Sequence, residues 1–297
     1  MKKRIALVGL GNLSPKISPA LNESSCVEVI AVCDINPNAI GRDMYKETPF
    51  YTDYRELKKL SPDYVYIATD PGTHYEIADY FIDNGIAVLS DKPPTKTLEE
   101  YSALLQKSTD NNVFYNVVYH FRYSREILWL KEHLKDFGSL VFASARYDDP
   151  YCESSVILPG REKLMGAWLD SASNILGVWS FLFPELIPQA VKTSFKKDSI
   201  HQLPIYAEAY FRWGNTPFSI TISWMNNTRS KEMIFVFESD VVYIDLPNQE
   251  VYVNGELKLK NYDVQSTIVH YKNFFNNFNK FFDNNQDRSL TELLYEC

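Results

Sequence analysis

The chain has 297 residues, of which 45% are hydrophobic and 23% charged, and its formal net charge is −8. This composition is typical of a globular protein with a sizeable core. The negative charge argues against a nucleic-acid partner, because phosphate binding needs a basic face. No apolar run approaches the roughly 18 residues of a membrane span, and no signal-peptide cleavage pattern follows the N-terminus. The four cysteines lack C-x-x-C spacing, so we expect reduced thiols, no metal and a cytoplasmic location.

The first half of the chain alternates short apolar strands with helical patterns. Strands are predicted at 5–8, 29–33, 50–51, 64–68, 87–89 and 113–118. Such alternation is the signature of βαβ units on a parallel sheet. We therefore expect residues 1–121 to form a doubly wound Rossmann domain that binds NAD or NADP.

A glycine-rich turn follows the first strand. Gly9 and Gly11 begin a G-x-G-x-x-G pattern in which Ser14 replaces the third glycine. The backbone amides of this turn, including those of Asn12 and Leu13, can approach a pyrophosphate at the start of a helix. Two glycines at this spacing are a weak signal alone, and a cofactor-free Rossmann-like fold is the alternative.

An acidic residue ends the second predicted strand. Asp34 lies roughly 20 residues after the glycine turn, where a ribose-binding carboxylate is expected. Its carboxylate can accept hydrogen bonds from ribose hydroxyls, and its negative charge would repel a 2′-phosphate. Both properties favour NAD over NADP. Arg42 is close enough in sequence to keep NADP as the less favoured alternative.

Further polar residues follow the later strands, whose carboxyl ends should meet at one crevice. The loops at 69–74 and 91–94 join the glycine turn there. The predicted cofactor contacts in these loops are Thr69, Pro71, His74, Asp91 and Lys92. His74 is also a candidate for anchoring its own turn.

Two further groups could carry chemistry. Lys92, between Asp91 and two prolines, could hold a substrate oxygen or move a proton, or it could be a surface lysine in a turn. Asp170 and Asn174 lie four residues apart and share one face of a predicted helix at 164–183. That carboxylate could be an ion-paired structural residue or a general base.

The second half is dominated by longer strands of alternating polarity. We expect residues 122–297 to form an α+β domain with a large, mostly antiparallel open sheet. Alternating residues such as Tyr206, Glu208 and Tyr210 indicate a sheet face available for pairing between copies. Aromatic residues at helical spacing in 271–282 are typical of core packing.

Together these motifs resemble the glucose–fructose oxidoreductase / inositol dehydrogenase / MocA family over essentially the whole chain. In that family a Glu-Lys-Pro motif carries the active-site lysine, which corresponds to Lys92 with Asp91 in place of the glutamate. The family's Asp-x-x-x-His appears as Asp170 followed by Asn174. The pairing of Lys-Pro-Pro with Asp-x-x-x-Asn is similar to the aldose 1-dehydrogenases, such as galactose and arabinose dehydrogenases.

The resemblance implies a chemistry and a set of residues. A hydride would pass from C1 of a ring-form aldose to the nicotinamide and give a lactone, without a metal. Asp170, or Lys92 if neutral, would take the hydroxyl proton, and Asn174 would orient the sugar. The candidate pocket walls are His120, Arg122 and Trp168. The resemblance also implies a homo-oligomer, a dimer or tetramer, through the C-terminal sheet.

Two alternatives remain open at this point. One is a dehydrogenase of the same family that acts on another ring hydroxyl of an inositol or a sugar derivative. The other is a regulator that senses NAD or a sugar without catalysis. The absence of the family histidine argues against the first, and the presence of both Lys92 and Asp170 argues against the second.

Overall fold

The computed structural model describes residues 1–185, 189–278 and 294–295. These residues divide into two compact units. The N-terminal unit consists of Met1–His120 together with 267–278, and the second unit consists of Phe121–Ser266 with Leu294 and Tyr295.

A six-stranded parallel sheet forms the N-terminal unit. Its strands are β1 Lys3–Val8, β2 Val27–Cys33, β3 Phe50–Tyr51, β4 Tyr64–Ile67, β5 Ala87–Asp91 and β6 Tyr115–Val118. They lie in the order β3-β2-β1-β4-β5-β6, and every neighbouring pair is parallel. This is the order of a doubly wound dinucleotide-binding sheet. The Rossmann fold expected from the sequence is confirmed.

Helices connect these strands. They are α1 Ser14–Glu23, α2 His74–Asp83 and α3 Leu98–Asp110. Thr97 caps α3, since its side chain accepts from the amide of Glu100. The segment between β2 and β3 forms only a 3₁₀ turn, Arg42–Tyr45. This segment is rich in exposed polar residues and lacks the continuous apolar face that would hold a longer helix on the sheet.

The C-terminal helix belongs to the N-terminal unit. This helix, α6, spans Ser266–Asn276. Phe275 packs edge-on against Tyr66 of β4 at 5.8 Å between ring centroids, and Lys272 pairs with Glu23 at 2.7 Å. The expected domain division placed 122–297 together, whereas the aromatic face of α6 is buried on the first sheet. Residues 279–282 of the predicted aromatic stripe lie outside the described residues.

The second unit contains an eight-stranded sheet. Its strands are β7 Leu140–Asp148, β10 Gln189–Lys197, β11 Pro204–Trp213, β12 Thr216–Ser223, β13 Ser230–Phe237, β14 Val241–Asp245, β15 Glu250–Val253 and β16 Glu256–Lys260. Their order is β10-β11-β12-β7-β13-β14-β15-β16, and only the β12–β7 pair is parallel among the pairs of this sheet that the structure describes. The mostly antiparallel open sheet is confirmed. Strands β8 Cys152–Glu153 and β9 Val156–Ile157 form a separate small hairpin.

Helices cover one face of this sheet and close its core. They are α4 Arg125–His133 and α5 Ser173–Leu182. Trp179, Trp213 and Trp224 are among the largest fully buried side chains. None of the helices in the described parts of the chain has both the length and the apolar character that spanning a membrane requires.

Candidate active site

The glycine turn is held tightly against the end of strand β4. Gly9 has a φ of +101°, a left-handed value that favours glycine. A Cβ at this position would lie 2.6 Å from the carbonyl carbon and oxygen of Ala68. The Gly9 amide donates to the carbonyl of Cys33 at 2.8 Å. Any other residue here would therefore have to push two strands apart.

The remainder of the turn presents backbone donors. Within the described residues, the amides of Gly11, Asn12 and Leu13 have no backbone or side-chain acceptor. Helix α1 begins directly afterwards without a side-chain cap and without an acidic residue in its first turn. A Cβ on Gly11 would meet no atom within 4 Å. Free amides at an uncapped helix start fit the pyrophosphate of a dinucleotide.

Ser14, which replaces the third glycine of the pattern, is buried beside Gly41. Ser14 is fully buried and its hydroxyl donates to the Gly11 carbonyl at 2.8 Å. A Cβ on Gly41 would lie 2.0 Å from that hydroxyl oxygen. The absence of a side chain at Gly41 therefore leaves room for the Ser14 side chain. No sequence pattern connects these two positions.

The Asp34 carboxylate accepts hydrogen bonds from two backbone amides, one in the glycine turn and one in the loop after β2. One carboxylate oxygen accepts from the Leu10 amide at 2.8 Å, and the other accepts from the Asn36 amide at 2.8 Å. A carboxylate oxygen has two lone pairs, so each oxygen keeps one for a further donor. The carboxylate is therefore oriented by the backbone and still able to accept from the hydroxyl groups of a ribose.

The loop after β4 contains the next three predicted residues. Thr69 is half-buried, and its hydroxyl accepts from Thr73 at 2.8 Å. Pro71 is buried at the start of a short 3₁₀ turn. His74 is 1% exposed, and its two ring nitrogens lie 3.1 Å from the Thr69 carbonyl and 2.9 Å from the Pro93 carbonyl.

His74 therefore joins two of the loops at the strand ends. Burial lowers the pKa of its imidazole. A neutral ring carries one N–H, so at any moment one of the two carbonyls accepts a hydrogen bond and the other faces the second nitrogen. With both nitrogens directed at backbone, the ring's contribution is to hold the loops together, which agrees with the turn-anchoring role considered from the sequence.

The Asp-Lys-Pro segment lies at the end of β5. Asp91 is 5% exposed, whereas Lys92 is half-buried and the Lys92–Pro93 peptide bond is cis. The carboxylate of Asp91 accepts from two tyrosine hydroxyls, Tyr66 at 3.2 Å and Tyr271 at 2.8 Å. Sequence reasoning did not identify either tyrosine, because each is distant in the chain.

His120 ends the N-terminal unit. It is 8% exposed, and its ring stacks on His270 of α6 with 5.4 Å between centroids and 3.2 Å between the two Nδ1 atoms. Burial lowers the pKa of His270 to about 3. One Nδ1 of this contact donates and the other accepts.

In the second unit, Asp170 lies on a π-helical turn, Trp168–Ala172, that leads into α5. Such turns leave the regular helical hydrogen-bond pattern and are frequent at functional sites. The Asn174 amide donates to the Asp170 main-chain carbonyl at 3.2 Å, and Asn174 is 4% exposed. Its side-chain oxygen has no partner among the described residues. Asn174 therefore stabilises the irregular turn that presents Asp170.

The other two pocket candidates are engaged in the second unit's interior. Arg122 is 8% exposed and donates to the Gly177 carbonyl and the Ser180 hydroxyl, each at 2.5 Å. Trp168 is 4% exposed, and its indole N–H donates to the Leu294 carbonyl at 2.8 Å. These contacts fix α5 and the π-helical turn.

An ion-pair cluster around Asp149 in the second unit was not predicted from the sequence. Asp149, just after β7, pairs with Arg229 at 2.9 Å and with Lys231 at 2.5 Å. Arg161 lies over the ring of Tyr151 at 4.3 Å. Burial, together with the charges of Asp149 and Asp170, raises the pKa of the Tyr151 hydroxyl. In the described residues, no group of three or more His, Cys, Asp or Glu side chains could hold a metal ion.

The N-terminal unit matches a known family model. The Gfo/Idh/MocA model, described as an oxidoreductase family with an NAD-binding Rossmann fold, matches residues 3–119. Curated relatives named glycosyl hydrolase family 109 proteins, from Porphyromonas gingivalis and Bacteroides fragilis, are 28% identical over 117 residues. The match covers 35% of this chain and 25% of each relative. The chain therefore spans about a quarter of the length of the curated relatives it matches.

Solved structures share the fold over nearly the whole chain. A dehydrogenase from Chromobacterium violaceum aligns with a TM-score of 0.82 at 18% identity. The alignment covers 99% of this chain and 94% of that dehydrogenase. A UDP-N-acetylglucosamine 3-dehydrogenase from Acidithiobacillus ferrooxidans has a TM-score of 0.81 at 17% identity, covering 100% and 96%. An inositol dehydrogenase homolog from Azotobacter vinelandii, complexed with NADH and myo-inositol, has a TM-score of 0.79 at 18% identity, covering 100% and 89%.

Proposed function

We propose that this protein is an NAD-dependent dehydrogenase that oxidises a hydroxyl group of a sugar, and that its substrate is the C1 hydroxyl of an aldose, which becomes a lactone. The observation that carries the proposal is the glycine turn, whose amides at Gly11, Asn12 and Leu13 have no acceptor in the described residues and precede an uncapped helix. The family match at 3–119 and the dehydrogenases of similar fold support it.

We propose that Gly9, Gly11, Asn12 and Leu13 hold the pyrophosphate and that Asp34 binds the ribose hydroxyls. The loop residues Thr69, Pro71, Asp91 and Lys92 complete the cofactor site, with His74 fixing its loops. NAD is favoured over NADP because Asp34 would repel a 2′-phosphate. Arg42, which could favour that phosphate, lies over the Phe50 ring at 5.0 Å and donates to the Tyr45 carbonyl.

The protein's own groups handle the proton. We propose that the Asp170 carboxylate accepts the proton of the sugar hydroxyl, with neutral Lys92 as the second available base. Lys92 in its charged form donates a hydrogen bond to the same oxygen as negative charge develops there. The bound NAD supplies the acceptor for the hydride that leaves C1. His120 is the remaining candidate for a direct sugar contact, whereas Arg122, Trp168 and Asn174 support the π-helical turn.

A substrate panel tests this proposal. Aldoses and inositols are each mixed with NAD or NADP, and the absorbance of the reduced cofactor is followed. We expect turnover of aldoses with NAD. Lys92→Met and Asp170→Asn should each lower kcat by at least about a hundredfold. Lys96→Met, four residues away on the exposed surface, is the matched control and should retain activity.

The alternatives predict different outcomes of the same panel. Oxidation of inositols but not of aldoses would show that the enzyme oxidises a ring hydroxyl other than the C1 hydroxyl of an aldose. NAD binding without turnover of any member would favour the sugar- or NAD-responsive regulator. Turnover that survives loss of both Lys92 and Asp170 side chains would refute the proton-transfer roles given above.

Glycoside cleavage is a second candidate, favoured by the names of the curated relatives. Their similarity spans 117 residues, so it argues chiefly for a shared cofactor unit. Release of nitrophenol from nitrophenyl glycosides, measured with and without added NAD, separates the two candidates. A dehydrogenase of the kind proposed releases none and reduces NAD with free aldose.

We also propose that the protein is a homo-oligomer formed through the outer face of the eight-stranded sheet. Tyr210 and Tyr243 lie in one row across the sheet, since their register partners connect through β12, β7 and β13. Tyr210 is 49% exposed. Light scattering should give a dimer or tetramer for the wild type, and Tyr210→Glu should shift it towards the monomer.

A further inference from the structure

Two tyrosines from different elements converge on one carboxylate oxygen in the N-terminal unit. The Tyr66 hydroxyl, from the neighbouring strand β4, lies 3.2 Å from Oδ1 of Asp91. The Tyr271 hydroxyl, from the C-terminal helix α6, lies 2.8 Å from the same oxygen. Asp91 is 5% exposed and Tyr271 is fully buried. This arrangement, the Asp91–Tyr66–Tyr271 cluster, lies immediately before Lys92 in the chain.

Tyr271 is a permanent donor in this cluster. Burial raises its pKa well above the ordinary value, and the charge of Asp91 and the hydrogen bonds to Asp91 and Tyr66 raise it further. The hydroxyl therefore keeps its proton throughout the physiological pH range. Phe275, one turn further along α6, packs against the Tyr66 ring at 5.8 Å, so the helix and the strand are held in one arrangement.

A buried carboxylate in apolar surroundings ordinarily takes up a proton. Hydrogen bonds donated to the charged form oppose this by lowering its pKa. Two phenols on one oxygen thus favour ionised Asp91 without introducing a positive charge. Because Asp91 ends β5 and directly precedes Lys92, a fixed Asp91 side chain also fixes the backbone from which the Lys92 side chain extends.

Three histidines lie on the elements that surround the cluster. His270 precedes Tyr271 on α6, and His120, beyond β6, lies 5.4 Å from the Tyr271 ring. His74 contacts the Pro93 carbonyl from the start of α2. The pKa values of His270 and His74 are lowered by burial, so these two imidazoles are neutral at pH 7. They therefore do not offset the charge of Asp91 there.

We infer that Tyr271 and Tyr66 are positioning residues for the dehydrogenase reaction, which hold the Asp91 carboxylate in a fixed orientation and thereby orient Lys92, the next residue of the chain. The inference rests on the proposed function, in which Lys92 contacts the reacting oxygen. It gives helix α6 an indirect part in the chemistry at the end of β5, through its contact with Asp91.

The test compares three Tyr→Phe variants that each remove one hydroxyl and keep the ring. Tyr271→Phe and Tyr66→Phe remove a donor from Asp91. Tyr54→Phe is the matched control, because its hydroxyl donates to Glu76 at 2.8 Å on the exposed surface of the same unit. Values of kcat and KM are measured across the pH range for the wild type and each variant.

We expect Tyr271→Phe to lower kcat about tenfold, as the loss of one hydrogen bond to a charged group would. The acidic limb of its kcat profile should move to higher pH by about one unit, because Asp91 then ionises less readily. KM for NAD and for the sugar should change less than twofold. Tyr66→Phe should show the same changes at smaller size, and Tyr54→Phe should show none.

A second measurement separates this inference from the proposed function. Carbon-13 NMR follows the titration of the aspartate carboxyl groups, with Asp91→Asn used to assign the Asp91 resonance. A higher pKa for Asp91 in Tyr271→Phe supports the cluster even if no substrate is found. An unchanged Asp91 titration, or a loss of stability with an unchanged kcat profile, overturns the inference. Wild type that turns over no sugar overturns the proposed function instead.

Discussion

Two buried carboxylates, one in each unit, are held by opposite kinds of donor. Asp91 of the N-terminal unit is 5% exposed and accepts from two neutral phenols. Asp149 of the second unit is 2% exposed and pairs with two cations. Both phenols are neutral, so they orient the Asp91 carboxylate without placing a positive charge beside it. The charge of Asp149 is neutralised where it lies, which is typical of a structural ion pair.

The difference should be visible when each carboxylate becomes an amide. Asp149→Asn removes the carboxylate charge that lies 2.5 Å from Lys231, whose side chain is 15% exposed. We expect a loss of about 3 kcal/mol in the free energy of unfolding. Asp91→Asn keeps an oxygen that accepts from both phenols and should cost about 1 kcal/mol.

The sequence allows the two units to be followed separately. All five tryptophans lie in the second unit, so tryptophan fluorescence in urea reports the loss caused by Asp149→Asn. Amide hydrogen exchange in β1, β4 and β5 reports the N-terminal unit. Equal losses for the two substitutions would contradict the distinction between charged and neutral donors.

Acid should weaken the N-terminal unit through its buried histidines. The pKa of His270 is lowered from 6.5 to about 3, so the unfolded chain binds a proton in this window and the folded unit does not. The contribution of His270 is complete above pH 6.5 and falls by up to about 1.4 kcal/mol per pH unit as the pH drops towards 3. Hydrogen exchange in β4 and β5 at successive pH values measures this slope.

The matched variant for the acid experiment is His270→Asn, which cannot take up a proton and should flatten the slope. His133→Gln, in the second unit, should leave it unchanged. A slope that is the same in wild type and His270→Asn would show that other groups cause the acid sensitivity of the N-terminal unit.

The two cations that pair with Asp149 should contribute unequally to the free energy of unfolding. Lys231 is 15% exposed, so Lys231→Met should cost about 1–2 kcal/mol in the unfolding free energy. Arg229 is 56% exposed, so Arg229→Gln should cost less than about 1 kcal/mol, and added salt should reduce that difference further. Urea unfolding followed by tryptophan fluorescence measures both. A larger cost for Arg229→Gln would reverse the assignment of Lys231 as the principal partner.

The fold was accessible from the sequence because its signals are local. Each strand of the N-terminal sheet is a short apolar run, and the glycine turn and Asp34 follow directly from two of them. Alternating polarity likewise marked the strands of the second sheet. Helix α6 packs on the N-terminal sheet although its residues lie within 122–297. Its aromatic spacing predicts a buried face but contains no information on which sheet buries it.

The candidate site was less accessible because its connections are between distant residues. Gly41 compensates for Ser14, and Tyr271 meets Asp91, through contacts that no spacing pattern records. The π-helical turn at Trp168–Ala172 depends on hydrogen bonds that residue types alone do not specify. Arg122 is a predicted substrate contact, and no sequence pattern indicated that its guanidinium also donates to the Gly177 carbonyl of α5.

The central claim is that a hydride moves from a sugar carbon to NAD. The most direct measurement uses an aldose that the panel identifies as a substrate, labelled with deuterium at C1, and mass spectrometry of the reduced cofactor. We predict reduced NAD that is heavier by one mass unit, formed at least about a hundredfold more slowly with Lys92→Met. Reduced cofactor without deuterium, or lactone formed without reduced cofactor, would contradict the proposed reaction.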